Sequence, residues 1–220
     1  MTKLIALPDI HDKSDALKPI ARDIARADAV VLAGDMTNGN MQHLLRLMNV
    51  LEEYNEHIYA VPGNMDTDAM LAYLAREGVN LHRTWQPLDG IALCGVGGAL
   101  PYAGRFVFSE DEIAAFLEDA IRDVPATLPK VLVCHQPPYL TQCDQLPNGQ
   151  HVGSHALRAF IEQVQPLVCF CGHIHNAVAI DTIGQTHIIN PGPIWESQTY
   201  AFVEIQAGVV TTAALRQVIA

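Results

Sequence analysis

An α/β fold with two stacked β-sheets is predicted by three observations. Short apolar runs alternate with helix-period segments up to residue 176, a β-α-β rhythm. Beyond that point strand-like pieces follow one another across turns, which predicts a second, largely antiparallel sheet packed on the first. The residues best suited to chemistry stand at the ends of apolar runs, where a parallel strand would stop and a loop begin.

The buried strands are expected at Leu4 to Leu7, Ala29 to Ala33, Ile58 to Val61, Ile91 to Val96, Val131 to Cys134 and Leu167 to Cys171. Each is a short apolar run without the alternation of a half-exposed strand. Helices are expected near residues 14–27, 39–54, 67–77, 110–122 and 153–164. Ile20, Ile24 and Ala27 show the three-and-four spacing of one helical face, as do Leu157, Phe160, Ile161 and Val164. The C-terminal strands are read at Ala177 to Ile183, Thr186 to Ile189, Thr199 to Ile205 and Val209 to Leu215, with no helix between them. The long irregular stretch from Pro137 to Val152 is a candidate functional loop, because long loops in compact domains usually have a role.

At 220 residues the chain fits one domain, 1–220, with a sizeable core. No charge-poor run approaches the roughly 20 residues of a bilayer span. The apolar part of the N-terminus, Leu4 to Leu7, is too short for a signal peptide, so a cytoplasmic location is expected. Cys94, Cys134, Cys169 and Cys171 lie in strand-like runs and are read as reduced core residues. A thiolate site at Cys169-x-Cys171 lacks a second thiol pair in the sequence. The formal charge of −11, with 24 acidic and 13 basic residues and no basic patch, disfavours a long nucleic acid as partner.

Five short motifs carry the chemistry: Asp9-Ile10-His11, Gly34-Asp35, Gly63-Asn64-Met65-Asp66, Cys134-His135 and Gly172-His173-Ile174-His175. Asp9 and His11 are two residues apart, as are His173 and His175, so in extended chain each pair would point to one side. Gly34 permits a sharp exit from its strand and a close approach to Asp35. Four imidazoles, two carboxylates and one amide oxygen suit borderline first-row cations. Two divalent ions balanced by Asp9 and Asp35 would leave a charge of about +2, and a pair ~3.5–4 Å apart suits attack on phosphorus.

In this order the motifs resemble the signature of the calcineurin-like metallophosphoesterases, D-x-H, G-D, G-N-H-D/E, H and G-H-x-H. Gly149 to Ser154, Cys171 to Asn176 and Asn190-Pro191-Gly192-Pro193 extend the resemblance to the small single-domain bacterial and archaeal branch. It implies a four-layer α/β/β/α sandwich of two mixed sheets flanked by helices. It also implies two divalent ions, drawn from manganese, iron, zinc, nickel and magnesium. One would be held by Asp9, His11, Asp35 and His175, the other by Asp35, Asn64, His135 and His173, with Asp35 bridging. The implied reaction is hydrolysis of a small phosphodiester, or less favourably a phosphomonoester, by a metal-bridging hydroxide. DNA-processing members carry extra segments that this sequence lacks.

Met65 departs from the pattern, since the family usually has a histidine there and a thioether donates no proton. Asp66, whose implied role is to orient that histidine, does not replace it. Two readings follow: an enzyme that does without the donor or takes its proton elsewhere, for which His151 is a candidate, and a metal-binding scaffold for a protein partner. Ser154 and its neighbouring amides form a helix start that either binds phosphate or is simply capped. Tyr102 and Tyr139 are loop aromatics, and Trp195 belongs to a core or an interface. His43, His57, His82 and His187 are read as ordinary solvent-facing or half-buried residues.

Overall fold

The structure is a computed structural model and describes residues 1–218. Two sheets lie face to face. The first has the order β11 (Val209–Gln217), β10 (Thr199–Gln206), β1 (Thr2–Leu7), β2 (Ala29–Ala33) and β3 (Ile58–Val61). The second has the order β4 (Thr84–Leu88), β5 (Ile91–Val96), β6 (Lys130–Cys134), β7 (Val168–Phe170), β9 (Thr186–Asn190) and β8 (Ala179–Ile183). Both are mixed: β1, β2 and β3 run parallel, as do β5, β6, β7 and β9, while β10, β11, β4 and β8 join antiparallel.

Side-chain alternation explains the four layers. In β1, Leu4 and Ala6 face the interior between the sheets, where they meet Val131, Val133, Phe170 and Val203. Ile5 and Leu7 face the other way, into a core under α2 (Met41–Glu52) and α3 (Asp68–Arg76). In the second sheet, Ala92, Cys94, Leu132 and Cys134 face outward beneath α4 (Glu110–Ile121) and α5 (His155–Val164). Strands buried on both faces read as continuous apolar runs, which is why the sequence shows them clearly.

Three expectations are corrected. The C-terminal strands do not form a sheet of their own: β8 and β9 complete the second sheet, and β10 and β11 extend the first beside β1. Pairings between β1 and β10 join residues nearly two hundred positions apart, and no local pattern encodes that register. One helical turn, α6 (Ile194–Ser197), also separates β9 from β10. The segment 14–27 is a 3-10 turn, Ser14–Ile20, followed by the short α1 (Ala21–Ile24). Pro19 has no N–H for a helical ladder and restricts Lys18, so the regular helix is interrupted there.

Strand β4 has no apolar run to announce it, and its Pro87 is tolerated because the strand lies at a sheet edge. The loop from 137 to 152 is organised around the buried Asp144, whose carboxylate accepts N–H groups from Leu140, Thr141 and Gly153. No helix among the described residues is long and apolar enough to cross a membrane.

Candidate metal centre

All five motifs sit just beyond parallel strands. Asp9 and His11 follow β1, Asp35 follows β2, Asn64 follows β3, His135 follows β6, and His173 and His175 follow β7. The expected extended geometry is not what aims them. Asp9, His11, Asp35 and His173 have positive φ values of 53°, 44°, 46° and 65°. Left-handed backbone at four non-glycine residues costs of order 1–3 kcal/mol each and persists only where surroundings enforce it. Here Asp9 N–H donates to Gly34 O at 2.9 Å and His11 N–H to Asp35 O at 3.0 Å, so the first two loops hold each other. Gly34 is required for contact as well as for φ: a Cβ there would lie 2.4 Å from His135 Nδ1.

The donor atoms converge in two overlapping groups, Asp9 with His11 and His175, and Asp9 with Asp35 and His135, the atoms of each group lying within 4.8 Å of one another. Asp35 Oδ2 stands 3.6 Å from His11 Nε2 and 3.6 Å from His135 Nε2, equidistant between the two sides. The hydrogen-bond network fixes what these atoms offer. His135 Nδ1 donates to Ala33 O at 2.9 Å, which leaves Nε2 as a lone pair. That lone pair faces Asn64 Oδ1 at 2.9 Å, an amide oriented by its own Nδ2 bond to Ala103 O.

His11 repeats the pattern. Its Nδ1 faces Asn38 Oδ1 at 2.8 Å, Asn38 being oriented by Asp12, so its Nε2 lone pair faces His175 Nε2 at 3.3 Å. His135 Nε2 and Asn64 Oδ1 are both acceptors and repel unless a cation lies between them, whereas a proton on His175 or a cation would join His175 to His11. The buried Asp9 Oδ1 accepts no hydrogen bond, with His175 and His11 nitrogens at 3.4 and 3.9 Å. Buried polar atoms are nearly always satisfied, so this orphan and the facing acceptors fit cations. His173 lies with its ring centroid 5.0 Å from that of His135, and its backbone N–H donates to Asp9 Oδ2 at 3.0 Å.

Burial and mutual charge shift these groups in different directions, Asp9 and His173 toward the deprotonated form of a ligand and Asp35 and His175 away from it. Burial pushes Asp9 upward, but the His175 imidazole and the charges of His135 and His11 outweigh it and hold the carboxyl below its ordinary value. Asp35 is raised by burial and by the charge of Asp9, against the pull of His135. His173 is pushed down to about 3 by burial and by His135, which keeps its ring neutral as a ligand must be. His175 is raised, chiefly by its contact with Asp9.

Residues 2–208 match the calcineurin-like phosphoesterase superfamily domain. The chain belongs to that family. It is 33% identical over 199 residues to Uncharacterized protein MJ1162 of Methanocaldococcus jannaschii, a match covering 87% of this chain and 88% of the relative. Its fold is shared with TT1561 of Thermus thermophilus, at a TM-score of 0.76 and 20% identity over 99% of both chains. A dimetal phosphatase from Danio rerio gives a TM-score of 0.67 and 13% identity over 99% of this chain and 96% of that one.

Within this calcineurin-like site, Met65 contributes through its backbone: its N–H donates to Asp35 Oδ1 at 2.8 Å. The buried Asp66 accepts N–H groups from Gly63, Met36 and Thr37 at 2.9, 3.3 and 3.2 Å, joining the second and third motif loops. That function needs no histidine at position 65. Burial pushes its carboxyl up to about 7. Trp195, read from the sequence as core or interface, donates Nε1–H to Asp9 O at 2.9 Å, and Glu196 stands 3.9 Å from His175 Nδ1. A tryptophan four residues past Asn190-Pro191 carried no signal of this role.

His151 is held within its own loop by Asp144 at 2.7 Å, and none of its hydrogen bonds reaches a candidate ligand. The α5 start is capped by Ser154, and Glu110 accepts the N–H groups of His155 and Ala156 at 2.9 and 3.0 Å, so those amides are already engaged. Tyr139 packs 3.9 Å from the His155 ring, and Tyr102 is fully exposed. His82 is a correction: it is buried against Phe106, Phe108 and Phe116 rather than solvent-facing or half-buried. All five cysteines are free and buried, Cys143 of the long loop included.

Proposed function

We propose that the protein hydrolyses small phosphodiesters at a centre of two divalent cations. The orphaned Asp9 Oδ1 and the facing acceptors His135 Nε2 and Asn64 Oδ1 carry this reading, because that pair repels unless a cation lies between its members. When bound, the two cations supply Lewis acidity toward phosphoryl oxygens and an activated water. By the family resemblance Asp9, His11, Asp35 and His175 would hold one and Asp35, Asn64, His135 and His173 the other. The geometry supports Asp35 as the shared ligand through its equal 3.6 Å distances to His11 and His135, and groups Asp9 with both sides as well.

The remaining groups position these. Trp195 fixes the Asp9 backbone, Ala33 O fixes the His135 tautomer, and Asn38 fixes His11. Such partners orient a ligand and raise its basicity. With Met65 in place of a proton donor, the leaving oxygen takes its proton from solvent, which favours esters of acidic alcohols. A general acid is worth 10²–10⁴-fold, so its absence slows turnover without ending it.

Metal-stripped protein reconstituted in turn with manganese, nickel, zinc and magnesium tests the reading on an aryl phosphodiester and the matching monoester. Metal-restored diester turnover, absent in Asp35→Asn, is the expected result. Monoester turnover alone would move the substrate class. Stoichiometric metal binding with neither ester cleaved would favour a scaffold for a protein partner, the reading that Met65 keeps open.

A further inference from the structure

The loop between β5 and α4 is built against the third motif. Arg105 and Phe106 both donate backbone N–H groups to Asn64 O, at 2.7 and 3.2 Å, and Asn64 Nδ2 donates to Ala103 O at 3.0 Å. Gly104, with φ +98°, lies so close that a Cβ there would fall 2.3 Å from Asn64 O. Leu100 N–H donates to Gln136 Oε1 at 3.0 Å, tying the loop beside His135 as well. Neighbours of two candidate ligands therefore set the position of residue 105.

The Arg105 guanidinium lies over Gly39. A Cβ on Gly39 would stand 2.4 Å from its Nη1 and 3.3 Å from Met65 O. Gly39 follows Asn38, the partner of His11, so the guanidinium sits between the loop that orients His11 and the residue that follows Asn64. The ion pairs among the described residues engage Arg46, Arg76, Arg83, Arg122 and Arg158, and Arg105 is in none of them. Arg22, Arg26 and Arg216 are likewise outside those pairs, but they lie in α1, just after it and in β11, whereas Arg105 is bonded through its backbone to Asn64. Arg105 is exposed and lines an open cleft of about 580 Å³, shared with Asp68 and Arg83 and containing none of the seven candidate ligands, so its side chain reaches solvent while its backbone stays tied to Asn64.

We propose that Arg105 binds a phosphoryl oxygen of the substrate, bringing to the Met65 corner the positive charge that the sequence omits there. The inference rests on the phosphoesterase reading and deepens it. A guanidinium offers planar, paired donors that match two phosphoryl oxygens, and it keeps its proton at any ordinary pH. Arg105 thus acts by charge and hydrogen bonding, not as a general acid.

Calorimetric titration of inorganic phosphate into manganese-loaded protein tests this without requiring turnover. Arg105→Ala should weaken phosphate binding by about 10-fold to 100-fold, the range for a hydrogen bond between charged groups, with manganese stoichiometry and melting temperature unchanged. Arg105→Lys should recover part of the loss. Equal phosphate affinity in Arg105→Ala, or no phosphate binding by the unaltered protein, would overturn the proposal. If phosphate binding depends on Arg105 but no ester is cleaved, Arg105 keeps its role and the hydrolytic reading fails. If esters are cleaved while Arg105→Ala binds phosphate normally, the reverse holds.

Discussion

His82 makes the fold sensitive to mild acid. The ring is buried among Phe106, Phe108 and Phe116, and its Nδ1 accepts the Gly97 N–H at 2.9 Å, which requires the neutral form. Burial, with some help from the charge of Arg83, pushes its pKa down from 6.5 to about 4. The unfolded chain therefore takes up a proton near pH 6.5 while the folded protein stays neutral to about pH 4. Between those values the unfolded state binds the extra proton, so stability is lost as pH falls and the loss is complete below the lower value. The full difference is about 3 kcal/mol, of which about 2 kcal/mol falls between about pH 7.5 and about pH 5.

Urea denaturation of metal-free protein at those two pH values measures it, with His82→Asn as the reference. The asparagine Oδ1 can still accept the Gly97 N–H but does not titrate. It should be less stable at the higher pH, having lost ring contacts, yet its further loss on acidification should be smaller by about 2 kcal/mol. Equal acid sensitivity in the two proteins would show that His82 is not held neutral by the fold.

Three further outcomes are expected. In metal-free protein Asp35→Asn should melt at or above the unaltered chain, because it removes a buried charge facing Asp9, and it should abolish the upward shift given by manganese; scanning fluorimetry reads both. Glu110→Ala should cost about 2 kcal/mol in urea denaturation by freeing the Ser154 hydroxyl and two amides at the start of α5, and no change would mean that solvent replaces it. Trp195→Phe, which removes the bond to Asp9 O, should lower metal affinity by about 10-fold with the fold intact, and unchanged affinity in a competition titration with a chelator would refute the link.

Much of this was legible beforehand because a strand buried on both faces, such as Val30 to Ala33, announces itself as an apolar run, and the chemistry follows directly after it. The positions of Asp9, Asp35 and His135 beyond such runs could be read residue by residue. The allocation of β10 to the first sheet could not, because Leu4 meets Val203 only through long-range pairing. Nor could the left-handed backbone at Asp9 and Asp35, which depends on bonds between loops distant in sequence. The burial of His82 could not be read either, because it comes from Phe106 and Phe108 of a later loop and Phe116 of α4, and the bonding of Asp66 is chiefly to backbone amides, which leave no pattern in the sequence.

The division of the motifs between the sheets has a mechanical consequence. Asp9, His11, Asp35 and Asn64 hang from strands of the first sheet, whereas His135, His173 and His175 hang from strands of the second. Any cation that they share is a clasp across the rim of the sandwich, fastening two layers whose shared interior is built from apolar side chains. Such a clasp resists sliding as well as separation, because each ligand set is rooted in several strands of its sheet. The centre and the register between the layers would then be one property, and a change that lets the sheets slip would spoil the site while leaving every donor in the sequence.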